Sequence, residues 1–349
     1  MKDIKTLSST EILSIAKDRP EKLYSKDNIE SEFGTLRRFW HPDRNKDTKA
    51  NEVFNHITNL HKLGIQLITQ NIWNGPASIE FITAEGKTFR IHYKKMHQFE
   101  LGNLYISSTK ICYILKPEFE TLFVNGINML QNQVKYPHKK FEDEFKKYMP
   151  NIILIAKGSN IGHVLVLEKT EDVVMLQDLL DYLPDNKLDP KQVAWIISSL
   201  SNILCFFEKV CDVAHLGLST KTIFVSPKFH SSCVYGGWWY SRPNDTKLLA
   251  LPSMLANILP SSVLVDKRAK LTYDRMLVKA IGLFCMGDKS MTGSTLVRNP
   301  DIPKPVLKWL RAIPTDSSVK EYSNWINQRD EGFGKRKFIE LIVDVNNIY

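Results

Sequence analysis

Two stretches of this 349-residue sequence hold residue types that could do chemistry. The first is Leu36-Arg-Arg-Phe-Trp-His-Pro-Asp-Arg-Asn45, with His41, Pro42 and Asp43 in a row and Arg37, Arg38 and Arg44 beside them. The second is His215-Leu-Gly-Leu-Ser-Thr-Lys-Thr-Ile-Phe-Val225, which follows a long apolar segment. Lys116 closes a third, apolar run, Ile111-Cys-Tyr-Ile-Leu. The remaining candidates are weaker. Cys112, Cys205, Cys211, Cys233 and Cys285 form no CxxC pair, so neither a zinc site nor a disulfide framework is expected. His92, His97, His138 and His163 lack metal-ligand spacing and read as structural. The aromatic cluster Tyr235-Gly-Gly-Trp-Trp-Tyr240 suits a binding surface or core packing equally well. Lys335-Arg-Lys337 reads as a helix surface.

The elements that must position these residues follow from periodicity. Glu11-Ile-Leu-Ser-Ile-Ala starts a helix behind Ser9 and Thr10. Ile29, Phe33, Leu36 and Trp40 form one apolar stripe, which predicts a helix from about Asp27 to Trp40. Pro42 ends it, because proline disfavours the helical region for His41 and offers no amide. A third helix is expected from about Thr48 to Ile68. Asn74-Gly75-Pro76 breaks the pattern. Beyond it, period-two runs predict a hairpin around Ala84–Lys87, then strands at residues 103–107 and 111–115, a helix near Glu118 to Gln133, and strands at residues 152–155 and 164–167. Residues 190–213, 272–286, 305–311 and 334–345 read as helices. The order predicts an α+β fold with a division near residues 72–77.

With its flanking helices, the His41-Pro42-Asp43 run resembles the J-domain family over roughly residues 8–68. That resemblance implies an all-α helical hairpin, a domain spanning residues 1–71, and a DnaK-type chaperone ATPase as partner. It further implies that Asp43 meets an arginine on the chaperone, Pro42 fixes the loop and His41 holds its shape, with Arg37, Arg38 and Arg44 adding charge. Gly34, Thr35 and Phe39 stand where the family commonly carries basic residues, and no Gly/Phe-rich linker or zinc-finger repeat follows.

The His215 stretch resembles the protein-kinase catalytic loop, H-R-D-L-x-x-x-N followed by apolar residues. His215, Leu218 and Ile223-Phe-Val fit, whereas Gly217 holds the catalytic-base position and Thr222 the metal-binding asparagine position. Tyr235 takes the place of the metal-binding aspartate, Lys116 that of the nucleotide-binding lysine, and Gly126 that of its partner glutamate. Asp274 resembles the aspartate that braces the catalytic loop. This resemblance covers about residues 78–349, with a small β-rich lobe over about 78–168 and a helical lobe over about 169–349. It implies a pseudokinase: with base, metal ligands and partner glutamate gone, phosphoryl transfer has little left to work with.

The net charge of +9 reads as a mildly biased surface, with no basic run dense enough for nucleic acid. No apolar run reaches the length of a membrane span, and the N-terminus does not read as a signal peptide. Scattered cysteines suit a reducing cytoplasm. The expectation is a cytoplasmic, non-enzymatic co-chaperone or adaptor with an unidentified client, no metal and no cofactor beyond ATP at Lys116. The alternatives are an atypical kinase or nucleotidyl transferase using Lys116, and a viral, for instance phage-encoded, decoy of a host chaperone.

Overall fold

A computed structural model describes residues 6–15, 17, 19–69, 73, 77–83, 86–158, 161–259, 267–335 and 338–349. The Asn74-Gly75-Pro76 break, Ile72, Ala84, Arg336 and Lys337 lie outside the described residues. The chain divides into two compact units, Met1–Glu80 with Arg90–Lys94, and Phe81–Phe89 with Lys95–Tyr349. The division therefore falls later than residues 72–77. It runs through a two-stranded sheet of β1 (Ser78–Ile82) and β2 (Thr88–His92), which stands apart from the larger sheet.

The first unit is helical. Helix α1 (Ser9–Ser14) starts from a capping box between Ser8 and Glu11. Helix α2 (Ile29–Phe39) and helix α3 (Ala50–Thr69) pack through Leu36, Val53, Ile57 and Leu60, all buried. They run antiparallel: Glu30 pairs with His61, Phe33 stacks on His61 at 3.9 Å, and His41 meets Phe54. Tyr24 ties the loop before α2 to α3, its hydroxyl donating to the Ile57 carbonyl at 2.9 Å.

The second unit begins with a five-stranded antiparallel sheet in the order β3-β4-β5-β7-β6. Its strands are β3 (Lys95–Phe99), β4 (Gly102–Ile106), β5 (Lys110–Leu115), β6 (Ile152–Gly158) and β7 (Gly162–Glu168). Helix α4 (Glu120–Asn128), extended by a π-turn through Gln133, and helix α5 (Lys139–Phe145) lie between β5 and β6 in the chain. Strand β3 has no fully buried side chain, so its sequence carries no period-two signal. A short strand, β8 (Val174–Met175), leads into α6 (Leu176–Tyr182). The rest is mainly helical: α7 (Pro190–Phe206), α8 (Ser253–Ile258), α9 (Leu271–Cys285), α10 (Lys304–Arg311) and α11 (Ser318–Phe333).

Short strands β9 (Val213–Ala214), β10 (Ile223–Ser226), β11 (Ser231–Val234) and β12 (Arg242–Pro243) interrupt the helices. Helix α7 with its π-turn, Pro190–Cys211, is long and apolar enough to cross a membrane by length and composition, and 61% of its apolar 18-residue window is buried inside the protein. Its seams are filled by α9 and α11, with Trp325 donating to Ser198 at 2.9 Å.

One expected helix is corrected. Residues 338–344 are not helical: Gly334, at φ 64°, ends α11, and within 338–344 only Leu341 is buried. Ile342 is 90% exposed. The five cysteines are all free, four of them buried.

Candidate functional site

The loop between α2 and α3 is short, and its own side chains fold it. The Asp43 amide donates to His41 Nδ1 at 3.2 Å, and the Asp43 carboxylate lies 3.6 Å from the same nitrogen. The amides of Arg44 and Asn45 both donate to the His41 carbonyl at 2.9 Å. The Asn45 side chain then donates back to the Phe39 carbonyl at 3.1 Å, closing the end of α2. Pro42 removes an amide that would otherwise need a partner. The result presents Asp43 to water, 84% exposed, with His41 at 40%. Arg37, Arg38 and Arg44 are exposed around it, and so is Phe39. The structure thus brings together the six residues singled out here and leaves Asp43, Arg37, Arg38 and Arg44 exposed, with Arg38 also donating to the Gly34 carbonyl at 3.1 Å and Asp43 3.6 Å from the His41 ring.

The His215 loop lies in the opposite environment. His215 is fully buried, stacked on Phe207 and edge-on to Trp238. Burial pushes its pKa down to about 3, against a smaller upward pull from the Gly236 backbone. The imidazole is therefore neutral, and neither ring nitrogen makes a well-formed hydrogen bond. Asp274, from α9, braces the loop: its two carboxylate oxygens accept the amides of His215 and Leu216, each at 2.7 Å. Burial pushes the Asp274 pKa up to about 7, although the two amides and Arg275 hold it down. Leu216 takes a left-handed conformation, φ 62°, to make this double contact possible.

Gly217 then meets Gly237 backbone to backbone. A Cβ on Gly217 would lie 2.4 Å from the Gly237 carbonyl oxygen, and one on Gly237 would lie 2.4 Å from the Gly217 oxygen. An aspartate has no room at position 217. Thr222 is spent internally, its hydroxyl donating to the Gly217 carbonyl at 2.8 Å and accepting the Ser219 amide at 2.8 Å. The segment after β11 is held from the other side by α4. Asn125 donates to the carbonyls of Trp239 and Ser241, and Gly126 lets the helix approach, since a Cβ there would lie 3.0 Å from the Trp239 nitrogen.

Two expected positions are corrected. Lys116 lies one residue past the end of β5, exposed, its amide bound to the Leu101 carbonyl. The β5 side chain that reaches the segment after β11 is Tyr113, whose hydroxyl abuts Gly236 and whose ring packs on Trp239 at 4.9 Å. Tyr235 turns away from it and packs on Phe224. Residue Gly236, not Tyr235, therefore faces β5. The aromatic run Tyr235–Tyr240 is core, with Trp238, Trp239 and Tyr240 all buried.

Three further features escaped the sequence reading. The turn between β3 and β4 carries Glu100, which accepts hydroxyls from Tyr240 and Ser253 at 2.5 Å each. The hydroxyl of Tyr349 accepts the Met175 amide and donates to buried Asp178, both at 2.8 Å, while His97 and Lys95 approach the same carboxylate. A cavity of about 240 Å³ opens between the sheet and the His215 loop, lined by Phe99, Leu104, Tyr113, Thr222, Trp239 and Met254 among others. Lys116 is not among its walls. Among the described residues, no group of three or more His, Cys, Asp or Glu side chains is placed to hold a metal ion.

No protein-family model matches this chain, and no curated protein matches it. It is similar to the solved structure of vaccinia related kinase 3, at 15% identity, over 73% of this chain and 92% of that one, with a TM-score of 0.49.

Proposed function

We propose that this protein is a J-domain co-chaperone or adaptor: its N-terminal unit binds a DnaK-type chaperone ATPase and stimulates it, and its second unit is a kinase-like scaffold without phosphoryl-transfer activity. The observation that carries the first half is the His41-Pro42-Asp43 loop. It is closed by its own hydrogen bonds at the end of an antiparallel helix pair, and its carboxylate and three flanking arginines are left in water. A carboxylate 84% exposed, with only the His41 ring 3.6 Å away, is available for a charge-assisted contact with a cation on another protein.

Support for the kinase-like half comes from a β-rich lobe that precedes a helical one, and from an aspartate on α9 that braces a histidine-containing loop. Catalytic silence is supported by the close packing of Gly217 on Gly237, the internal bonds of Thr222, and the exposed position of Lys116. Catalysis of phosphoryl transfer rests on charge placed around the transferring group, and these positions offer none. The test is steady-state ATP turnover by a DnaK-type chaperone with the full chain added. Wild type should accelerate turnover several-fold, and His41→Gln should not; a wild-type chain without effect removes the proposal.

A further inference from the structure

A second cavity, of about 540 Å³, lies elsewhere in the second unit and shares no lining residue with the one beside the His215 loop. Ligand sites commonly span about 300–1,000 Å³. Three segments wall it: the turn before β6 with Asn151, the stretch from Glu168 to Val173 between β7 and β8, and the β10–β11 hairpin with Tyr235. Met149, Val173 and Phe229 give it apolar surface, and Phe229 is 66% exposed. Cys233 lies buried at its floor. Burial pushes that thiol up to about 12, with the Tyr235 hydroxyl opposing and the Asp172 carboxylate adding, so the floor stays uncharged.

Charge enters from the other two walls, with opposite sign on each. Lys147 is exposed, its ammonium 5.0 Å from the Tyr148 ring centroid. Asp172 is half-buried and accepts the Ser226 hydroxyl at 2.5 Å through one oxygen, and Glu168 accepts the Asn151 side chain at 2.5 Å. Among the described residues, none of these three charges lies within 4.0 Å of an opposite one. Lys146, the other lysine of the wall, is taken by Glu142 at 2.8 Å. Charges of both signs therefore face one space without closing on each other across it. A ligand with a single charge meets a like charge there as well as an opposite one, whereas a ligand with an ammonium and a carboxylate pairs with both.

We propose that this cavity binds a short peptide of two or three residues with free ends, its ammonium toward Asp172 and Glu168, its carboxylate toward Lys147, and an apolar side chain against Phe229. The site lies wholly in the second unit, so its fate and that of the chaperone-facing loop are read separately. The experiment titrates the full chain, by ligand-observed saturation transfer, with the dipeptide phenylalanyl-leucine, its N-acetyl form and its C-terminal amide. The free dipeptide should bind with a dissociation constant of about 1 mM or tighter, and each blocked form about threefold more weakly or worse. Lys147→Ala should weaken the free dipeptide by about threefold or more without weakening the amide, which brings no carboxylate for Lys147 to meet. Asp172→Asn should weaken the free dipeptide and the amide alike, and not the N-acetyl form. A side chain that merely shapes the wall would weaken all three ligands equally. The proposal fails if the free dipeptide does not bind, if either blocked form binds as tightly, or if Lys147→Ala weakens the amide as much as the free dipeptide. Equal weakening of all three ligands by Asp172→Asn overturns it too; should that variant unfold for want of its bond to Ser226, Lys147→Ala decides, because that side chain is exposed.

Discussion

His41 and His215 both sit on loops that follow a helix, and the two loops have been put to opposite uses. The His41 loop closes on itself through backbone amides and leaves Asp43 and three arginines in solvent. The His215 loop turns its histidine and its backbone inward, onto Asp274, Thr222 and the Gly237 backbone, and exposes only Lys221 among its residues 215–222. A motif that keeps its residues and exposes them is available to a partner. A loop whose glycine is packed on another backbone, with its hydroxyl bonded internally, serves as structure. The difference can be broken at several points.

The largest effect should come from restoring an aspartate at the second loop. Gly217→Asp forces a Cβ to within 2.4 Å of the Gly237 oxygen, where only backbone movement relieves the clash. A loss of about 3 kcal/mol or more in urea unfolding is expected, and a wild-type midpoint would mean that the loop opens freely. Next comes Asp274→Asn, which presents an N–H where a carboxylate oxygen accepts a backbone amide at 2.7 Å. About 2–3 kcal/mol should be lost, with an amide left unpaired. An unchanged midpoint would show that the brace is dispensable.

The pH dependence sharpens the contrast. His215 has its pKa lowered from 6.5 to about 3, so its contribution is present above 6.5 and is lost as pH falls toward 3. Asp274 has its pKa raised from 3.8 to about 7, so its contribution is present below 3.8 and is lost as pH rises toward 7. Between about pH 4 and 6.5 the two slopes oppose each other. In His215→Phe only the Asp274 slope remains, so the wild type's advantage over the variant should widen as pH rises across that window. Urea midpoints at both ends measure it, and a constant gap would contradict the buried, neutral histidine. The smallest effect belongs to the first unit. Gly34 sits in α2 with nothing within 4 Å of a Cβ, so Gly34→Ala should stabilise thermal unfolding of that unit by about 0.5–1 kcal/mol.

The parts of this picture that were legible in the sequence are those set by short-range spacing. The stripe Ile29, Phe33, Leu36 and Trp40 placed α2, and Pro42 placed its end, because both act within a few residues. Lys116 takes the nucleotide-binding position by resemblance alone, because Ile111–Leu115 is apolar throughout and a run with no alternation does not reveal which side chain faces where. Glycine positions 126, 217 and 236 could be read as missing side chains but not as close backbone approaches, which depend on segments distant in the chain. Tyr349 at Met175 and Asp178 is likewise a contact between residues more than 170 apart, with no local signal. Helix α11 is sparsely apolar and gives little periodic signal, whereas five of the seven residues 338–344 are apolar and suggest a helix; Gly334 alone marks where the helix stops.

The contrast between the loops is tested most directly by one assay on three full-length proteins. ATP turnover by a DnaK-type chaperone is measured with wild type, His41→Gln and His215→Phe at equal concentration. The account predicts several-fold stimulation by wild type and by His215→Phe, and none by His41→Gln. Stimulation that survives His41→Gln, or that is lost with His215→Phe while that protein remains folded, would contradict it.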